Sequence, residues 1–184
     1  ILPEFSAKFA ARIKTLQVGE GIDPTTTIGP LMHRRALAKV VAQVEDAKAR
    51  GGRVLVGGST HSEMAHAFQP TLIVDAPHDA LIHQEETFGP VASLIPFDTE
   101  AEAISLANAT EYGLVAYVVT RDGARMMRLS RALEFGMVAI NRVKITGGPI
   151  PFGGWKQAGI GLEGSRYGLE AFTELKYLCI DTAA

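Results

Sequence analysis

The chain predicts an α/β fold of three layers, α/β/α, around a mostly parallel sheet. Three observations carry this. From about residue 91 to residue 140, short apolar strands alternate with helical patterns, the rhythm of parallel strands joined by right-handed crossovers. The strands are apolar at successive positions, as in Leu114-Val115-Ala116-Tyr117-Val118-Val119, which suits a sheet covered on both sides. Length and composition agree: 184 residues, 47% hydrophobic and 21% charged, support a proper core.

In chain order, Pro3 stands where helices like to begin, and Phe5, Phe9, Ile13 and Leu16 recur at helical spacing. A Gly/Pro loop from Gly19 to about Pro30 follows. The next helix, roughly 34–50, puts Leu37, Val40, Val41 and Val44 on one face. Arg35, Lys39, Gln43, Glu45 and Asp46 lie mostly elsewhere, and Gly51-Gly52 is the stop. Short strands are expected at 53–56 and 71–74, with an exposed, turn-rich stretch at 57–69 between them. A single helical turn at 79–84 leads to a strand at 91–97, and a helix at 100–109 to the strand at 114–119. Asp122 is placed to cap a helix reaching about Glu134, with Met126 and Met127 as core filler. Gly136 ends it before a strand at 137–140. The terminal stretch alternates from Glu174 onward, reading as an edge strand at 174–181 to which another subunit could add.

Several classes are excluded or disfavoured. A net charge of −2 gives no sign of nucleic-acid binding. No apolar run approaches a membrane span, and residues 1–20 carry charges throughout, without a signal-peptide core. The single cysteine, Cys179, excludes an internal disulfide and fits a reducing compartment, so the cytoplasm is expected. Cys179 has no base nearby in its strand and is not read as a nucleophile. The five histidines show no metal-ligand spacing, and no metal is expected. The chain opens at Ile1 without an initiator methionine and enters a helical pattern at once. It is expected to be a segment of a longer protein.

Two stretches carry chemistry. In Gln84-Glu85-Glu86-Thr87-Phe88-Gly89-Pro90-Val91, Pro90 fixes its own backbone and biases Gly89 toward extension. Glu86 and Phe88 are then held side by side, which suits a ligand with a diol and a flat face; a solvated acidic turn is the plainer reading. The second stretch, 141–156, leaves the carboxyl end of a strand, where parallel sheets bind ligands. Its two Gly pairs and two Pro shape it. Arg142, Lys144 and the Thr146 hydroxyl could receive an anion there, with Phe152 and Trp155 as a wall. Gly159-Ile160-Gly161-Leu162-Glu163-Gly164 matches a dinucleotide fingerprint by letter, but a Gly/Pro loop precedes it instead of a strand. These glycines are read as close-approach positions.

Together the motifs resemble the aldehyde dehydrogenase family, C-terminal part. Glu86-Thr87-Phe88-Gly89-Pro90-Val91, Asn108-Ala109-Thr110-Glu111-Tyr112-Gly113-Leu114 and Pro151-Phe152-Gly153-Gly154-Trp155-Lys156-Gln157-Ala158-Gly159 look like three of its motifs, in order. Gly164-Ser165-Arg166-Tyr167-Gly168 and Lys176-Tyr177-Leu178-Cys179 further resemble its succinate-semialdehyde dehydrogenase branch. The resemblance implies an incomplete catalytic domain over 1–173 and an oligomerisation strand and tail over 174–184.

It further implies that Glu86 holds the nicotinamide ribose hydroxyls and that Phe88 packs beside the cofactor. Lys39 would match a lysine near the other ribose, or be a solvated helix charge. Phe152 would line the aldehyde tunnel, and Glu163 would match a proton-relay carboxylate. Thr146 falls where the branch places a serine hydroxyl on the substrate carboxylate. Leu162 replaces the arginine usual before that glutamate, which puts a family interface salt bridge in doubt. The family's nucleophilic cysteine and general-base glutamate have no counterpart here. The expectation is therefore a fragment of an NAD- or NADP-dependent enzyme oxidising a small carboxylated aldehyde, inactive and cofactor-free alone, and a homodimer or higher homo-oligomer. A dehydrogenase for another semialdehyde, or a non-catalytic domain on the same fold, is the alternative.

Overall fold

A computed structural model describes residues 1–182. They fall into two compact units, Ile1–Pro96 and Phe97–Ala184. In the first, α1 (Leu2–Ile13) and α2 (Arg34–Ala49) pack on a sheet of β1 (Arg53–Val56), β2 (Thr71–Val74) and β3 (Val91–Leu94). β2 is central, antiparallel to β1 and parallel to β3. All four β2 residues are buried, so both of its faces are covered. Ile73 joins Val40, Val44 and Ala47 of α2, with Phe68, Ala76 and Ala80, in the core. Thus Phe68, in the stretch expected to be exposed, is a core residue; an isolated bridge from Thr60 turns it inward. On α1 the inward face is Leu2, Ser6, Phe9 and Ile13, while Phe5 stays half exposed.

The second unit contains the βαβ crossover that the rhythm predicts. β5 (Val115–Val118) and β6 (Met137–Ile140) pair in parallel through α5 (Gly123–Ala132), capped by the Asp122 carboxylate accepting from the Arg125 amide at 3.0 Å. Asn108, at the end of α4 (Glu100–Asn108), closes the other end of α5. Its side chain donates to the Ala132 carbonyl at 2.9 Å and accepts from the Glu134 amide at 2.9 Å, satisfying groups a helix end leaves open. Met126 is half-buried and Met127 exposed, so only the former can serve as core filler.

One expectation is corrected. The alternation from residue 91 to residue 140 does not build one parallel sheet: β3 belongs with β1 and β2, while β5 and β6 form a separate pair. The remaining pair, β4 (Tyr112–Gly113) with β7 (Trp155–Lys156), is antiparallel. Apolar periodicity reports that a strand wants covering, but not which neighbour supplies it. Tyr117 and Val119, read as buried, are 54% and 90% exposed. Residues 173–182 are likewise exposed and pair with no strand among the described residues. A backbone ladder needs a partner strand, and the described residues offer none to that segment.

Candidate active site

The acidic turn lies between α3 (Leu81–Gln84) and β3, against α2. His83 anchors α3 to β3. Its Nδ1 lies 3.0 Å from the Pro77 carbonyl and its Nε2 2.9 Å from Ser93 Oγ. A carbonyl can only accept, so Nδ1 carries the proton and Nε2 accepts from the hydroxyl. Burial holds this imidazole below its ordinary range of titration, in keeping with that neutral form. At the other end, Gly89 sits directly on Val40: a Cβ there would lie 2.5 Å from Val40 Cγ2.

Between these anchors Glu86 is exposed, and its carboxylate has no protein partner among the described residues. Phe88 is 78% exposed. Lys39, one helix face away, places Nζ 3.7 Å from Glu85 Oε2. The turn thus offers a free acceptor and a free ring on a fixed backbone. An acceptor and an apolar ring are what such a pair presents to solvent.

The residue missed by sequence reading is Gln43. Assigned there to the polar side of α2, it is only 1% exposed. The Thr87 hydroxyl donates to its Oε1 at 2.7 Å, and its Nε2 points at the Glu85 and Glu86 carbonyls, each at 3.5 Å. The available signal was spacing, since Gln43 lies one helical turn beyond Lys39 and shares its face.

In the second unit, Asn141 pins the start of the long loop at the carboxyl end of β5. Its Oδ1 accepts from the Thr120 amide at 2.9 Å and its Nδ2 donates to the Thr120 carbonyl at 2.8 Å. The Pro-Phe-Gly-Gly stretch then packs backbone against backbone: a side chain on Gly136 would strike the Gly153 carbonyl and Gly154 Cα. Lys156 ties down the end of the loop, donating to the Asn108 and Thr110 carbonyls at 2.8 and 3.2 Å and pairing with Glu134 at 2.8 Å. Phe152 and Glu163 exchange both backbone hydrogen bonds, at 2.9 and 2.7 Å.

These constraints bring Thr146, Phe152 and Glu163 to one open surface hollow of about 310 Å³, with Gly147, Gly148 and Ile150. The Thr146 hydroxyl and the Glu163 carboxylate have no protein partners among the described residues, so neither is used up by the loop. Arg142 instead folds back on the loop, donating from Nε to the Lys144 carbonyl at 2.6 Å. Trp155 lies in β7, and neither it nor Arg142 or Lys144 lines the hollow. Gly159 and Gly161 have open space where a Cβ would be. Their positive φ, not close approach, calls for glycine, and only Gly164 meets a neighbour, the Ile150 carbonyl, at 2.9 Å. A six-residue 3-10 helix (Tyr167–Phe172) comes next instead of an α-helix, so the fingerprint's geometry is not formed.

Among the described residues no helix is long and apolar enough to cross a membrane. Residues 1–178 match the model of the aldehyde dehydrogenase family. The chain is 45% identical over 180 residues to a succinate-semialdehyde dehydrogenase (NADP(+)) of Escherichia coli, covering 98% of this chain and 37% of that protein. It is 47% identical over 176 residues to a glutarate-semialdehyde dehydrogenase of Pseudomonas putida, covering 96% and 36%. The crystal structure of succinate-semialdehyde dehydrogenase from Burkholderia pseudomallei superposes with a TM-score of 0.94 at 42% identity, over 97% of this chain and 37% of that one. The chain thus spans little more than a third of the length of the relatives it matches. With the family's motifs in order, its fold reproduced and nearly every residue matched, this chain belongs to the aldehyde dehydrogenase family.

Proposed function

We propose that this chain is the C-terminal segment of an NAD- or NADP-dependent aldehyde dehydrogenase whose substrate is a small aldehyde with a remote carboxylate, such as succinate semialdehyde. The observation that carries the reading is the convergence of Thr146, Phe152 and Glu163 on one surface hollow, with both polar groups unpartnered among the described residues. The Thr146 hydroxyl, with Gly147 and Gly148 directly after it, lets an anion approach closely, and Phe152 supplies an apolar wall for the carbon chain. In this reading Glu163 receives protons leaving the site.

The residues fit a nicotinamide dinucleotide. Glu86 would accept from the ribose hydroxyls, Phe88 would pack beside the cofactor, and Lys39, its Nζ 3.7 Å from Glu85, would stand near the other ribose. When bound, the nicotinamide supplies the hydride acceptor. This chain's part is to bind and orient. The attacking thiolate and the general base come from the rest of the longer protein, because Cys179 is exposed in an extended segment. The isolated chain is accordingly proposed to be inactive. The single three-layer sheet is proposed for the longer protein, and segment 174–181 is proposed to pair there with another subunit.

The test is Thr146→Val in the full-length protein, assayed with succinate semialdehyde and with an uncharged aldehyde of similar length. Losing a hydrogen bond to a charged group lowers kcat/KM about tenfold to a hundredfold for the charged substrate. The uncharged aldehyde should be little affected. Equal losses would mean that Thr146 does not read a carboxylate. Glutarate semialdehyde belongs in the same assay, since the same end group serves a longer chain and a relative of that name matches at 47% identity. A full-length protein with no aldehyde oxidation at all would favour the non-catalytic reading.

A further inference from the structure

One polar stripe of α2 is bonded to a neighbouring segment. Lys39, Gln43, Asp46 and Arg50 recur at helical spacing along one stripe, Arg50 being the C-cap. Each touches the segment 79–87, and the two run antiparallel. Arg50 Nη1 pairs with Asp79 at 2.8 Å, and the Asp46 carboxylate accepts from the Leu81 amide at 2.8 Å. Gln43 comes next with its three contacts to residues 85–87, and then Lys39 with Glu85. The charged pairs are exposed and therefore weakly held. Gln43 is the buried rung.

Its orientation is dictated by its neighbours. Reversing the amide would set Oε1 against two carbonyl oxygens and leave the NH₂ facing the Thr87 hydroxyl. The observed sense satisfies all of them, although the carbonyl contacts, at 3.5 Å, are long. Removing a buried partner exposes the rest to the full desolvation penalty. Glu86, meanwhile, has no side-chain hydrogen bond or ion pair among the described residues that could orient it. Where its carboxylate begins is set by its backbone, and its backbone carbonyl rests on Gln43.

We infer that Gln43 is a positioning residue for cofactor binding, holding the 85–87 turn so that the Glu86 carboxylate is pre-placed. This rests on the reading that Glu86 receives the ribose hydroxyls. Pre-placement matters because a mobile carboxylate must be ordered at the moment of binding, which subtracts from affinity.

The experiment compares Gln43→Leu, Glu86→Gln and the double variant in the full-length protein, measuring Kd for NAD and NADP by titration. Gln43→Leu is expected to weaken binding about tenfold. The double variant should bind no more weakly than Glu86→Gln alone, because one residue acts through the other. Additive losses, or an unchanged Kd in Gln43→Leu beside a weakened Glu86→Gln, would overturn the inference and leave the ribose reading standing. An unchanged Kd in Glu86→Gln would overturn both. Hydrogen exchange separates positioning from misfolding: the Glu85 amide, bonded to the Leu81 carbonyl at 2.9 Å, should exchange faster while the amides of β2 stay protected. If β2 is also exposed, Thr87→Val replaces Gln43→Leu, since it removes only the 2.7 Å bond, and the same pattern in Kd is required of it.

Discussion

A methyl group added at Gly89 would lie 2.5 Å from Val40 Cγ2, and Val40 is itself 1% exposed in the core. Neither partner can yield cheaply, because the valine is packed on all sides and Pro90 stiffens the turn. Gly89→Ala is expected to destabilise the chain by about 1–3 kcal/mol, the usual range for overpacking. Urea denaturation measures it, and Val40→Ala in the same background should recover part of the loss. No loss in the single variant would show that the turn is free to lift from α2. At this scale the sequence was legible for the bend itself: the turn is held at Gly89, although the Glu86 and Phe88 side chains, expected to be held side by side, are both exposed. It was illegible for Gln43, because a glutamine on a helix looks the same whether water or a backbone carbonyl receives its amide.

Besides the Asn108 bond at their other end, helices α4 and α5 are joined by the Glu100 carboxylate. Glu100 accepts from Arg128 at 2.7 and 2.8 Å and from Arg125 at 2.9 Å. The hydrogen bonds from Arg128 first, and then from Arg125, pull its pKa down from 4.5 to about 2. Because the folded value lies below the unfolded one, the stabilisation is present above about pH 4.5 and is lost as the pH falls toward about 2. Acid unfolding across that window should therefore be less steep in Glu100→Gln than in the parent chain. The group is partly exposed, with arginine partners about half exposed, so 1 M salt should shrink the difference. Identical acid profiles would remove the carboxylate from the account of how these helices are joined. Element positions were well read here, and Asp122 caps α5 as its side chain predicts, because capping is settled within one turn.

For the whole molecule the exposed apolar residues matter most. Phe172, Leu175, Tyr177, Leu178 and Ile180 are all at least 69% exposed in one continuous segment. Such a run favours association over exposure to water, so the purified chain is expected to sediment as a dimer or larger species. Deleting residues 174–184 should shift it toward monomer. A stable monomer of the intact chain at high concentration would count against the role proposed for that segment.

What the sequence by itself determined was local, along with the family. Helix α2, the cap of α5, the bend at Gly89-Pro90 and the shaped loop beyond β6 all follow from periodicity, capping and the φ limits of glycine and proline, which act over a few residues. The ordered motifs determined the family for the same reason, since each is a contiguous string. Only the tertiary structure decided which strands share a sheet, that Phe68 and Gln43 are interior, and that Thr146, Phe152 and Glu163 meet at one surface hollow. Those outcomes depend on what covers a face or receives a hydrogen bond from far along the chain. Burial and pairing are properties of the neighbour as much as of the residue, and the neighbour is not written beside it.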